Sequence, residues 1–196
     1  MSDFDFVPAT SSRLGVMRNG SRVLREWKIP KPVVLVDTRE QMPLPLWERH
    51  ANWIEGEKVA TLKTGDYSVE GMEKILALER KSMADVIAST MVSRERFIRN
   101  CGRLAKLKYK ALLIEATYED MKTPYYNFDL WTEAHPNAVV GTLDAIEVKF
   151  GIPILYTSRN RDLATEKAAS WLSKQFTYWW LEQHGHSRVL IDIDRL

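Results

Sequence analysis

From Thr64 to Asp85 the chain reads T-G-D-Y-S-V-E-G-M-E-K-I-L-A-L-E-R-K-S-M-A-D. Gly65-Asp66 opens a turn, Ile75 to Leu78 form a short apolar run, and Glu79-Arg80-Lys81 follow at its end. Asp85 stands four positions after Lys81. Two carboxylates and a lysine on adjoining strands suit metal-dependent phosphodiester hydrolysis. The carboxylates hold a hard divalent cation, and the lysine sits beside the water that attacks phosphorus. Other readings of the same residues exist. Asp66 could be ordinary turn chemistry, and Glu-Arg-Lys a solvated charge run between a strand and a helix. Against the second, Glu79 continues an apolar strand, where a lone carboxylate is costly to bury without a neutralising partner.

Upstream, Pro32-Val33-Val34-Leu35-Val36 is a continuous apolar run that ends in Asp37-Thr38-Arg39-Glu40. Acidic residues at the ends of buried strands would repel one another without a cation. Asp66 and Glu79 are expected as the principal ligands of magnesium. Lys81 lies two residues beyond Glu79 and shares its side of a strand, so it can orient water and stabilise developing charge. Arg80 points to the other face of a regular strand. Asp85, in the first turn of the following helix, either braces the site or simply answers the helix dipole.

These blocks resemble the signature of the XPF/Mus-type structure-specific endonucleases: D-x-R-E, then G-D, a variable insert, E-R-K, three residues and D. Phe97, Arg103-Leu104 and Ala111-Leu112-Leu113-Ile114-Glu115 extend the similarity, which runs over about residues 32 to 175. The resemblance implies a restriction-endonuclease-like α/β fold, a mixed central sheet flanked by helices, and magnesium- or manganese-dependent DNA cleavage. It also implies that Asp37 and Glu40 are further direct or water-mediated ligands. Arg80 and Asp85 join Asp66, Glu79 and Lys81 as catalytic candidates, with Arg80 paired to Asp85 or Asp37. Members of the family usually carry helix-hairpin-helix units and some a helicase; neither is expected here, so a helicase or targeting partner is.

The DNA-facing surface is expected from Arg39 and from the helix after the motif. Arg96, Arg99, Arg103, Lys106 and Lys110 recur there at spacings of three and four. A solvated charged face is the usual meaning of such a stripe. This one follows the catalytic segment and has no acidic residue between Arg96 and Lys110, which favours phosphate contact.

The elements that must position these residues read as follows. Strands are expected at 33–38, 57–63, 74–80 and 110–115, with helices at 45–53, 82–90 and 93–108, an alternation that argues for a mixed α/β sheet. Thr117 to Glu133 reads as an irregular loop. Val139, Leu143, Ile146 and Phe150 recur at helical spacing until Gly151 stops the helix. Ile152 to Tyr156 is a strand. A helix over Asp162–His184 is expected to bury Ala168, Trp171, Leu172, Phe176, Trp179 and Trp180, and Arg188 to Asp194 alternates as a final edge strand would.

At 196 residues the chain has room for one nuclease domain, over 31–196, preceded by a mobile arm, 1–30. The net charge of +2 is mild, so DNA affinity must come from local clustering. The single cysteine, Cys101, excludes an internal disulfide and a cysteine-based zinc site. The first thirty residues carry no continuous apolar segment, so no secretory signal or membrane span is expected. An intracellular soluble protein is expected, cytoplasmic or nucleoid-associated if its source is prokaryotic or viral. The leading expectation is a nuclease for branched DNA or single-strand/double-strand junctions, serving DNA repair or recombination. Two rivals are a recombination- or restriction-type nuclease without strong structure preference and a non-catalytic DNA-binding subunit. Retention of Asp66, Glu79 and Lys81 weighs against the second rival. The adjacent indoles of Trp179 and Trp180 cannot both centre on one core-facing stripe; the second is expected either in a homodimer contact or, in a monomer, under the final strand Arg188 to Asp194.

Overall fold

The computed structural model describes residues 15–18, 21–23, 29–185 and 190–192. Strands β1 (Gly15–Arg18) and β2 (Ser21–Val23) pair as an antiparallel hairpin. The main sheet follows with β3 (Val33–Asp37), β4 (Gly56–Ala60), β5 (Tyr67–Val69), β6 (Leu76–Ser82), β7 (Tyr109–Glu115) and β8 (Ile154–Tyr156). Its order is β4-β3-β5-β6-β7-β8. Strand β5 is antiparallel to both β3 and β6, and the remaining pairs are parallel. The carboxyl ends of β3, β6, β7 and β8 therefore share one edge of the sheet.

Apolar residues on both faces of these strands call for cover on both sides. One face carries Val34, Val36, Leu76, Leu78, Ala111 and Leu113. It is covered by α1 (Leu46–His50) and α6 (Arg161–Gln183). The other carries Ala77, Leu112 and Ile114, under α2 (Met83–Met91), α3 (Arg94–Leu104) and α5 (Pro136–Phe150). The helices start and stop where the sequence supplies caps. Ser82 Oγ accepts from Asp85 N at 3.2 Å, Pro136 occupies the first turn of α5, and Gly151 ends it at φ 59°.

Four expectations are corrected. The span 117–133 holds a five-residue helix, α4 (Tyr118–Lys122), and a 3-10 turn at Tyr125–Phe128. Thr117 and Asp120 form a reciprocal capping box that starts α4. Helix α3 ends at Leu104, because Lys110 Nζ donates to the carbonyls of Ala105 and Leu107 and closes the turn there. In α6 the buried stripe consists mostly of small residues, including Ala164, Ala168, Ala169 and Ser173 with Leu172 and Phe176. Trp171, Trp179 and Trp180 pack beside it, partly buried. Finally, β9 (Leu190–Asp192) pairs with β1 and not with the main sheet. The rest of the expected strand 188–194, and most of the expected arm 1–30, lie outside the described residues.

Candidate active site

Three strand ends build the site. Gly65 takes φ +80°, and a Cβ there would stand 2.7 Å from Ala77 Cβ, so glycine alone lets the chain pass this close to β6. That approach lets Asp66 bridge two strands: its N–H donates to Leu78 O at 2.9 Å and its carbonyl accepts from Asp37 N at 2.8 Å. The Asp66 side chain is fixed as well, with Oδ2 accepting from the Arg80 N–H at 2.7 Å. Strand alternation then turns Glu79 and Lys81 to the face of Ala77, under α2 and α3. Lys81 Nζ lies 3.7 Å from Glu79 Oε1 and 5.2 Å from the centre of the Phe97 ring.

The two carboxylates are uncomfortable as charges. Burial, then the charge of Glu79, pushes Asp66 up to about 7, opposed by the Arg80 N–H. Burial also raises Glu79, with Lys81 pulling the other way. A divalent cation would relieve this repulsion, and the oxygen donors are those of a hard ion. Among the described residues, no group of three or more His, Cys, Asp or Glu is arranged to hold a metal. The Asp66–Glu79 pair nevertheless fits magnesium, which binds through one or two carboxylates and keeps several waters.

Asp37 lines the same cleft as Asp66 and Glu79, and its carboxylate oxygens are taken by nitrogen donors. Its Oδ1 accepts from Arg39 N and Nε at 2.9 and 2.7 Å, and Oδ2 accepts from Arg39 Nη2 at 3.0 Å and Leu62 N at 2.7 Å. Arg39 holds this buried carboxyl below its ordinary range. Glu40 does not line the cleft that contains Asp66 and Glu79. Its Oε1 accepts from Met42 N at 2.9 Å, and its Oε2 lies 3.9 Å from Arg80 Nε. The expected pairing of Arg80 with Asp85 or Asp37 is corrected: Arg80 Nε sits 3.4 Å from Glu115 Oε1. Even-numbered β6 side chains face α1 and α6, away from both aspartates. Asp85 lines the cleft, and its Oδ2 accepts from Ser82 Oγ at 2.7 Å, which ties it to the helix start.

The cleft, about 380 Å³, is walled on one side by Arg39, Lys63 and Thr64 and on the other by Ser89, Ser93, Arg96, Asn100 and Arg103. Arg103 Nη2 donates to Asn100 Oδ1 at 2.6 Å, and Arg99 pairs with Glu95 at 3.7 Å. Neither Arg99 nor Lys106 is part of the wall. The expected stripe is therefore broken: Arg96 and Arg103 reach the cleft, Lys106 lies beyond the end of α3, and Lys110 caps it. Lys63 went unread in the sequence, although it stands three residues before Asp66. Among the described residues, neither Lys63 nor Arg96 has an acidic partner within ion-pair distance. Cys101 is buried, and its thiol is pushed up to about 11, far from nucleophilic chemistry.

Known proteins resemble this chain in sequence and in fold. A protein of Methanocaldococcus jannaschii named as an ATP-dependent RNA helicase is 31% identical over 139 residues, which is 70% of this chain and 15% of that protein. The chain thus spans a small part of that relative. XPF from Aeropyrum pernix superposes with a TM-score of 0.56 at 18% identity, over 74% of this chain and 61% of that one. The same protein in complex with DNA gives 0.55 at 17%, over 78% and 66%. These two likenesses establish the restriction-endonuclease-like fold of XPF nuclease domains. The ERCC4 domain model matches residues 36–166, from the end of β3 into α6 and more than half the chain. On that match the chain belongs to the ERCC4-domain family, the XPF-type nucleases.

Proposed function

We propose that this chain is a metal-dependent DNA endonuclease. The observation that carries the reading is the Asp66–Glu79–Lys81 group at the floor of a cleft whose two walls carry cations. A polyanionic backbone crossing the cleft would set one phosphate over the carboxylates. Its neighbours would lie against Lys63 and Arg39 on one side and Arg96 and Arg103 on the other. When bound, magnesium or manganese supplies Lewis acidity at the phosphoryl oxygen and lowers the pKa of water. Asp66 and Glu79 are the residues that would hold it. Lys81, beside Glu79, orients the attacking water and balances charge that develops at phosphorus. The Arg80 N–H keeps Asp66 in place.

The substrate proposed is branched DNA or a single-strand/double-strand junction, with roles in repair or recombination. Support comes from the family and from a neighbour solved in complex with DNA. A helicase is the proposed partner because the Methanocaldococcus relative is named as one; a second copy of this chain is the other. No helix of the described residues is long and apolar enough to cross a membrane.

The test is cleavage of flap, fork, bubble and plain duplex DNA of one sequence, with magnesium, with manganese and with chelator. Cleavage that needs the ion and is fastest on the branched substrates is expected. Equal rates on all four would favour the rival without structure preference, and no cleavage of any would overturn the nuclease reading.

A further inference from the structure

On the sheet face opposite the cleft, a line of charges joins four separate pieces of chain. Arg80 is nearly sealed, its side chain 7% exposed. Among the described residues its Nε makes no hydrogen bond, and it stands 3.4 Å from Glu115 Oε1 and 3.9 Å from Glu40 Oε2. Glu115, at the end of β7, is shared: Arg161 Nη1 approaches the same Oε1 at 3.5 Å. Arg161, the first residue of α6, also donates from Nη2 to Met42 O at 2.6 Å and Pro43 O at 2.8 Å. Glu115 thus sits between two arginines, one buried under the sheet and one binding the loop that follows β3.

The same residue whose side chain Glu115 holds presents its backbone N–H to the cleft. The Arg80 N–H donates to Asp66 Oδ2 at 2.7 Å, through the sheet. We propose that Glu115 is a positioning residue for the carboxylate pair: by anchoring the Arg80 side chain on the far face, it fixes the backbone dipole that orients Asp66 on the near face. Arg161 completes the device by pinning Glu115 from its outer side. The anchor is needed because a guanidinium this buried is costly unless matched by carboxylate. Without Glu115, Arg80 keeps only the more distant carboxylate of Glu40 at 3.9 Å, and the side chain shifts toward it and pulls the strand end with it. A misplacement of about 1 Å in a catalytic group is enough to lower turnover by about a hundredfold.

This inference rests on the proposed nuclease reading for its consequence, but its physical link can be measured without activity. In the metal-free protein, the Arg80 amide proton is expected downfield in the nitrogen–proton NMR spectrum, because it donates to a carboxylate. In Glu115→Gln it should move upfield and exchange faster, while the amides of β3 stay in place. Cleavage should fall at least tenfold in kcat with KM for DNA unchanged. An unmoved Arg80 amide overturns the proposal whatever the cleavage rate, and so does a moved amide with unchanged kcat. If the wild-type chain cleaves no DNA yet the amide moves, the positioning link stands and the nuclease reading falls. Should Glu115→Gln fail to fold, Arg161→Gln, which removes the more exposed partner, is read by the same two signals.

Discussion

Asp37 and Asp66 lie one hydrogen bond apart along the backbone, yet their carboxylates have opposite needs. Asp37 has its oxygens filled by four donors and sits below its ordinary pKa. Asp37→Ala leaves the Leu62 N–H without a partner and should destabilise the fold by about 1–3 kcal/mol in urea melts. Asp66 behaves in reverse. It keeps its proton up to about 7 when folded, against 3.8 for the ordinary group. Between those values the folded metal-free chain binds more protons than the unfolded one, so stability falls as pH rises. Asp66→Asn should therefore lose less stability than wild type between about pH 5 and pH 7.5 without divalent ions. An equal loss in both would mean that Asp66 carries no such strain. Lys81→Ala, by contrast, should bind manganese nearly as wild type does by calorimetry and lose turnover by at least about a hundredfold. A large drop in manganese affinity would contradict its assignment to the attacking water.

At the scale of elements, the cleft is a meeting of one loop and one helix across a strand pair. Lys63 in the loop and Arg96 on α3 face it from opposite walls without acidic partners among the described residues. Each phosphate contact removed should lower the slope of log affinity against log salt by about 0.7–0.9. Lys63→Ala and Arg96→Ala are each expected to do so, and Arg99→Ala, paired with Glu95, to change little. Titrations of a fluorescent oligonucleotide over a range of salt decide this, and slopes equal to the wild type's for all three variants would return these residues to a solvated surface. Much of this layout was legible in the chain. The apolar runs of β3, β6 and β7 and the Gly151 stop of α5 marked their elements, and alternation placed Glu79, Lys81 and Arg80 on the right faces. Strand β5 was missed because its three residues are all buried and show no alternation between the bracketing glycines Gly65 and Gly71. The partner of Arg80 was missed because Glu115 reaches it only through parallel pairing of β6 with β7, which no local pattern encodes.

For the whole molecule, the open matter is what meets the outer side of α6. Small residues fill its buried stripe, which lets the helix lie close on the sheet and displaces its large aromatics to the flanks. Trp171, Trp179 and Trp180 all touch the core yet stay partly exposed, and Trp180 stacks on His184 with ring centres 3.8 Å apart. A run of aromatic surface on one helix is the composition of an interface centre. The proposed second copy would cover that flank and present two clefts to one branched substrate. Light scattering at micromolar concentration should give twice the chain mass. Trp179→Ala should shift the mass toward one chain while circular dichroism stays native, since the residue is only partly buried and truncating it should cost the monomer less than the roughly 3–5 kcal/mol of a fully buried aromatic. A single-chain mass for the wild type at every concentration would show that the aromatics of α6 serve this chain's own core, and would remove the second copy from the reading without touching the cleft.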